Sequence, residues 1–360
     1  MRVSNGTRRT PRSLSLVKEE AVDATTKAGA NRKSLLVRLL LVVLCLQLAG
    51  CAATRGLGAE DAQRVRGKTY VITGASSGFG RGTALMLGDL GANVVLAARR
   101  GELLEQVAVQ VRARGGQALA VPADVARMHD VASLAQRAVE RFGRIDVWIN
   151  NAGVGAIGRF EQIPPQDHAR LIDVNLKGVI FGSHAALRQF TRQGYGTLVN
   201  IGSVESEVPL AYQASYAASK AAVLSLGRAL NEEMRLAGQD KVAVATVLPW
   251  AVDTPFFAHT ANYSGTEARP PFPDDVCSVV KAIVWASLHP YEELPVGWKA
   301  WGAYLGHRVL PDLSEQVAAQ VEHRIQIAPA GSLPGTSGNL HRPAPAAVSP
   351  ASSCFTSKPD

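Results

Sequence analysis

The sequence predicts an α/β protein: a single doubly wound parallel sheet with helices on both faces. Three observations predict it. From Lys68 onward, short runs rich in β-branched residues alternate with longer amphipathic stretches. Those short runs are apolar at successive positions, as in strands buried on both faces. The chain is also long and apolar enough for a large core, with 360 residues, 47% hydrophobic and 19% charged. Strand–helix alternation of this kind gives parallel strands joined by right-handed crossovers.

Taken in order, Tyr70-Val71-Ile72 is the first strand and residues 79–90 read as a helix. Asn93-Val94-Val95-Leu96-Ala97-Ala98 is the second strand, followed by a helix over 102–114. Four more strands fall at 118–121, 147–150, 197–201 and 242–248, and a late one at 293–296. Amphipathic stretches at 131–142, 166–193 and 213–236 lie between them. Together these elements define one domain over residues 66–310. A terminal amphipathic helix is expected over 311–327. Residues 328–360, rich in Pro, Gly, Ser and Ala and without periodicity, are expected to form a disordered tail.

Residues 1–53 form a basic leader ending in an apolar run, 39–50, interrupted only by Gln47. The run is shorter than the roughly 20 residues of a membrane span and fits the roughly 7–15 of a signal-peptide core. It closes on Leu48-Ala49-Gly50-Cys51, which resembles a bacterial lipobox and would make the mature chain a lipoprotein. The alternatives are an uncleaved anchor starting near Leu35, and a mis-set start or an apolar leader without meaning. Lipoprotein and anchor both place the protein at a membrane through its N-terminal segment, with the side left open. The formal charge of +8 does not mark a nucleic-acid binder, because residues 1–38 carry nine basic and three acidic side chains, leaving only about +2 for the rest. The scattered Cys45, Cys51, Cys277 and Cys354 have no metal-ligand spacing.

After the first strand comes Thr73-Gly74-Ala75-Ser76-Ser77-Gly78-Phe79-Gly80, running directly into a helix. Glycines at such a junction let the backbone turn tightly and approach a pyrophosphate held at the helix N-terminus. The position of the loop within a βαβ unit makes it a dinucleotide site of Rossmann type. Its spacing differs from G-x-G-x-x-G and resembles that of the short-chain dehydrogenase/reductase family. Further segments match that family in order: Asp124-Val125, Asn150-Asn151-Ala152-Gly153, Asn175, Ser203, and Tyr216-Ala217-Ala218-Ser219-Lys220 as Y-x-x-x-K.

The resemblance covers residues 66–300 and implies an NAD(P)-dependent enzyme acting on a small-molecule carbonyl/alcohol pair. It implies a catalytic set of Ser203, Tyr216, Lys220 and Asn175, the last holding a water that links Lys220 to solvent. It assigns cofactor contacts to Gly74, Ser76, Ser77, Gly78, Phe79, Gly80, Asp124, Val125, Asn151, Ala152, Gly153 and Thr254, and to Tyr216 and Lys220 themselves. It also suggests a homo-oligomer.

The residue types fit that chemistry. Tyr216 and Lys220 are four apart and share one helix face. A free phenol, with a pKa of about 10, is too weak an acid for work near neutrality. An ammonium about 5 Å away, at an effective dielectric of ~20, favours the phenolate by roughly 3 kcal/mol, or about two pH units. Tyr216 is thus expected to serve as acid/base while Ser203 donates to the same substrate oxygen.

The second strand ends in Ala97-Ala98-Arg99-Arg100, with no carboxylate to repel a 2′-phosphate and two guanidiniums to bind one. NADP is therefore expected over NAD, with Arg99 as the phosphate contact. The family usually has glycine after the proline that ends the sixth strand, whereas here Trp250 follows Pro249. The following segment, 255–273, carries Phe256, Phe257, Tyr263 and Phe272, and such a lid suits an apolar substrate. Glu205 and Glu207 could face that substrate or solvent. The competing reading is a catalytically silent, membrane-attached dinucleotide-binding protein.

Overall fold

All five residues of β1 (Thr69–Thr73) are buried, so the strand has no solvent face and lies inside a covered sheet. It pairs in parallel with β2 (Asn93–Ala98) on one side and β4 (Val147–Asn150) on the other. β3 (Gln117–Pro122) extends the sheet beyond β2. β6 (Gly196–Ile201), β7 (Val242–Pro249) and β9 (Glu293–Val296) extend it beyond β4. The resulting order, β3-β2-β1-β4-β6-β7-β9, is the doubly wound parallel sheet expected from the sequence. This computed structural model describes residues 57–328 and 331–344. The leader expected over residues 1–53 lies outside them. Among the described residues no helix is long and apolar enough to cross a membrane.

Side chains alternate across the sheet as strand geometry requires. Tyr70 and Ile72 join a core with α2 (Gly78–Asp89), α3 (Gly101–Ala113) and α9 (Val276–Leu288). Val71 joins the opposite core, with α4 (Met128–Phe142) and α6 (Gly178–Gln193). Fully buried Trp148 sits in this second core and donates its indole N–H to Asn150 Oδ1 at 2.8 Å. A short parallel pair, β5 (Ala156–Ile157) with β8 (Ala261–Asn262), lies apart from the main sheet. α1 (Ala59–Val65) precedes β1, and α8 (Pro255–His259) follows β7.

The helical stretch expected over 166–193 is interrupted. α5 (Pro165–Ile172) passes through a π-type turn at Asp173–Lys177 before α6 begins. Such wide turns concentrate at functional sites. α7 (Ala214–Leu236) carries Tyr216 and Lys220, and α10 (Gly297–Val309) follows β9. The terminal helix appears as α11 (Pro311–Glu322), closing in a π-type turn at His323–Ile327.

The tail requires a correction. Residues 331–344, expected to be disordered, lie against the domain, and Leu340 has no exposed surface. Most of the segment is irregular, so it has no period for a sequence to display. One buried leucine and several carbonyls bonded to arginines hold it in place.

Candidate active site

The sheet order reverses between β1 and β4, and the crevice at their carboxyl ends is where such folds bind ligands. Two loops are tied together there. Thr73 Oγ1 accepts from the backbone N–H groups of Asn151 and Ala152, at 3.0 and 3.1 Å. Asn151 Nδ2 donates to the carbonyl of Thr73 at 2.9 Å. Gly74 has φ +69, and a Cβ on it would stand 2.8 Å from Ala152 Cα. A Cβ on Gly80 would stand 2.5 Å from both Gly74 O and Asn151 Nδ2. Only glycine lets the two loops pack this closely, leaving the start of α2 open to an anion.

Arg100 donates to the hydroxyls of Ser76 and Ser77, at 2.9 and 3.1 Å. Arg99 turns instead to the C-terminal segment, donating to the carbonyls of Leu340 (3.0 Å) and Asn339 (2.5 Å). The N-terminus of α2, the two serines and the arginines therefore make a cradle whose charge and close backbone fit a dinucleotide phosphate.

Ser203 follows the end of β6. Its Oγ accepts from the backbone N–H of Glu205 at 3.1 Å, and its hydroxyl favours ionisation of the neighbouring Tyr216 phenol. Lys220, one helical turn on, places Nζ 5.6 Å from the centre of the Tyr216 ring and donates to the carbonyl of Ile201 at 2.7 Å. All three side chains are buried.

Here the electrostatics depart from expectation. Burial pushes the Tyr216 phenol above its ordinary value, the field of Glu205 adds to that, and the Ser203 hydroxyl opposes it. Burial also lowers Lys220, to about 8, against the pull of Glu205. The direction favours the protonated phenol in the free protein, and Lys220 gives its hydrogen bond to Ile201.

Asn175 lies in the π-type turn, where its carboxamide clasps both backbone groups of Val154, at 2.8 and 2.9 Å, and bonds Ser219 Oγ at 3.1 Å. It links the loop after β4 to α7.

One cavity of about 690 Å³ gathers these groups. It takes in Gly74, Ser76, Ser77, Gly78 and Phe79 from the first loop, with Arg99, Asp124 and Val125 after β2 and β3. Asn151, Ala152 and Gly153 follow β4, and Ser203, Tyr216, Lys220 and Thr254 complete the predicted set on its wall. Gly80 and Asn175 are not on that wall; their contacts are with the residues that form it. Trp250 lines the cavity while its indole N–H is bonded to Pro271 O at 3.0 Å. Of the lid aromatics, Phe256, Phe257 and Phe272 line the cavity, and Phe256 lies 5.8 Å from Tyr216 ring to ring. Tyr263 does not, since its hydroxyl is given to Asp167.

Of Glu205 and Glu207, which the sequence left facing either substrate or solvent, the structure puts only Glu205 on the wall, and several other wall residues escaped the sequence. Glu205 is buried on the wall with Oε2 unpartnered among the described residues, whereas Glu207 pairs with Arg228 and Arg308. α11 contributes Leu313, Val317 and Val321, with Glu322 buried and bonded to Gln213. Asn339, Pro343 and Ala344 come from the C-terminal segment. The apolar stripe of α11 was legible, but nothing local said that it would face the crevice.

A family model described as short chain dehydrogenase matches residues 68–263. An uncharacterized oxidoreductase of Bacillus subtilis, YxnA, is 31% identical over 78% of this chain and 79% of its own. A protein of Eggerthella lenta named 3beta-hydroxysteroid dehydrogenase 1 is 36% identical over 57% of this chain and 77% of its own. The solved structure of an alcohol dehydrogenase from the archaeon Thermococcus sibiricus, complexed with 5-hydroxy-NADP, is similar at a TM-score of 0.54 and 28% identity, covering 64% of this chain and 94% of that one. The chain belongs to the short chain dehydrogenase family. It is an oxidoreductase of the dehydrogenase/reductase kind.

Proposed function

We propose that the protein moves a hydride between NADP and the carbonyl or secondary alcohol of an apolar small molecule, with Tyr216 as acid/base. The observation that carries this reading is the Ser203–Tyr216–Lys220 group on the wall of the same cavity as the phosphate cradle. NADP is supported by Arg99 and Arg100 where a carboxylate would select NAD, and by the 5-hydroxy-NADP bound to the Thermococcus sibiricus enzyme. The apolar substrate is supported by the Phe256, Phe257, Leu313 and Val317 wall. The name of the Eggerthella lenta relative, a hydroxysteroid dehydrogenase, agrees with it.

Bound NADPH supplies the hydride. The buried phenol enters the reaction protonated and gives its proton to the carbonyl oxygen as negative charge builds there and makes that oxygen the stronger base. Ser203 keeps its hydroxyl hydrogen for that same oxygen, because Oγ accepts rather than donates toward Glu205. The Lys220 ammonium then stabilises the phenolate left behind. Asn175 positions α7 against the loop after β4, fixing where the pair stands. The leader supports attachment of this domain to a membrane, and fractionation combined with protease access assigns the side.

A panel of apolar ketones with NADPH tests the enzymatic reading. Wild-type protein is expected to oxidise NADPH with at least one ketone, and Tyr216→Phe to lose about 10²–10⁴-fold. Equal background rates in the two proteins would establish a silent dinucleotide binder instead.

A further inference from the structure

The C-terminal segment is built into the cavity wall beside Arg99. Thr336 and Asn262 exchange backbone hydrogen bonds at 2.8 and 2.9 Å, and Asn339 N–H donates to His259 O at 2.8 Å. His341 Nε2 pairs with buried Asp167 at 2.8 Å, and the Leu340 side chain is fully buried. The Leu340 carbonyl accepts from both Arg99 and Arg170, while Arg170 also pairs with Asp124 at 2.6 Å. Arg99 has no carboxylate partner among the described residues. Its two bonds from this segment are to neutral carbonyls, which fix the plane of the guanidinium without cancelling its charge.

A second observation points to a ligand. Asn339 lines the cavity, and its side-chain oxygen is buried without a partner among the described residues. An orphaned buried acceptor is costly unless a bound group supplies the missing donor. Asn339, Pro343 and Ala344 wall the cavity rather than fill it, since the space remains one cavity with them in place. A segment that competed with a phosphate for Arg99 would set a carboxylate there, and this one sets backbone carbonyls.

We propose that residues 331–344 complete the cofactor site. Asn339 contacts the adenosine portion directly, and Leu340 holds Arg99 in position for the 2′-phosphate. This rests on the reading that the cavity takes NADP.

The test is equilibrium binding of NADPH and NADH, read by fluorescence titration. It compares the full chain with a chain ending at Ile327, and with the full-length variants Asn339→Ala and Arg99→Met. Removal of the segment is expected to weaken NADPH by about tenfold or more beyond its effect on NADH, as for loss of a charge-assisted contact, while NADH loses only what the Asn339 contact contributes. Arg99→Met should reproduce that selectivity, and Asn339→Ala should weaken both cofactors alike. Should the shortened chain fail to melt cooperatively, the two full-length variants decide. Unchanged binding in every variant overturns the proposal, and so does tighter NADPH binding on truncation, which would mark the segment as a competitor. A full chain that binds NADH but not NADPH overturns the cofactor reading beneath it.

Discussion

Lys220 gives its hydrogen bond to the carbonyl of Ile201 at 2.7 Å, while the Tyr216 ring centre lies 5.6 Å from its ammonium. The lysine thus acts on the phenol through space, by charge rather than by contact. Its influence depends on whether that charge is present.

Burial lowers Lys220 to about 8, so the ammonium is present below that pH and lost above it. The kcat/KM for carbonyl reduction is therefore expected to be level on the acid side of about 8 and to fall above it. A pH profile of wild type against Lys220→Met checks this. The variant should be slow throughout and lack the break near 8, whereas a break that survives in it would assign the titration to another group.

The close approach of the β1 and β4 loops gives a second expectation. A methyl group on Gly80 would meet Gly74 O and Asn151 Nδ2 at 2.5 Å, one of them backbone. Overpacking of this kind costs about 1–3 kcal/mol. Gly80→Ala should lower the melting temperature and weaken NADPH binding together, because the strained atoms carry the phosphate loop. Calorimetry and a cofactor titration on the same preparation measure both.

These cases show what a sequence can and cannot display. Gly74, Gly78, Tyr216 and Lys220 were legible because their roles are set by neighbours a few positions away, in a turn or on one helix face. The strands were legible because burial on both faces removes polar residues from whole runs. The state of the Tyr216 proton was not legible. It depends on Glu205 and on how deeply the site is covered, and α11 provides part of that cover about a hundred positions later. The C-terminal segment was misread for a related reason. An irregular chain held by Arg99 and Arg170 carries no period, and its one buried anchor, Leu340, looks ordinary among prolines and alanines.

Glu322 offers a pH-dependent stability. Burial raises its carboxyl to about 7, opposed by the hydrogen bond from Gln213. Below the ordinary glutamate range the group is protonated in both folded and unfolded chains. As pH rises from about 4.5 to about 7, it ionises in the unfolded chain first, which favours unfolding. Wild-type stability should therefore carry a loss across that window, levelling off above it, of at most about 3 kcal/mol. Glu322→Gln keeps an acceptor for Gln213 and removes the titration. Melting temperatures of the two proteins should converge near pH 4 and separate by pH 8 with the variant higher, and parallel curves would count against the assignment.

The apolar wall contributed by α11 yields the last expectation. Leu313 and Val317 line the cavity yet are 55% and 53% exposed, so little of the fold's stability depends on them. Exposed apolar side chains at the edge of a cavity that also holds Phe256 and Tyr216 are suited to close over a bulky ligand. A fully covered leucine is worth ~1.5–3 kcal/mol, so Leu313→Asp should raise KM for a polycyclic ketone by about tenfold or more. The same variant should leave the melting temperature, the NADPH dissociation constant and the turnover of a small ketone nearly unchanged. Steady-state kinetics with one large and one small ketone separate this from a general loss. An equal penalty on both would show that the residue acts through the fold or the cofactor, and the wall would then not be the part of the site that reads substrate size.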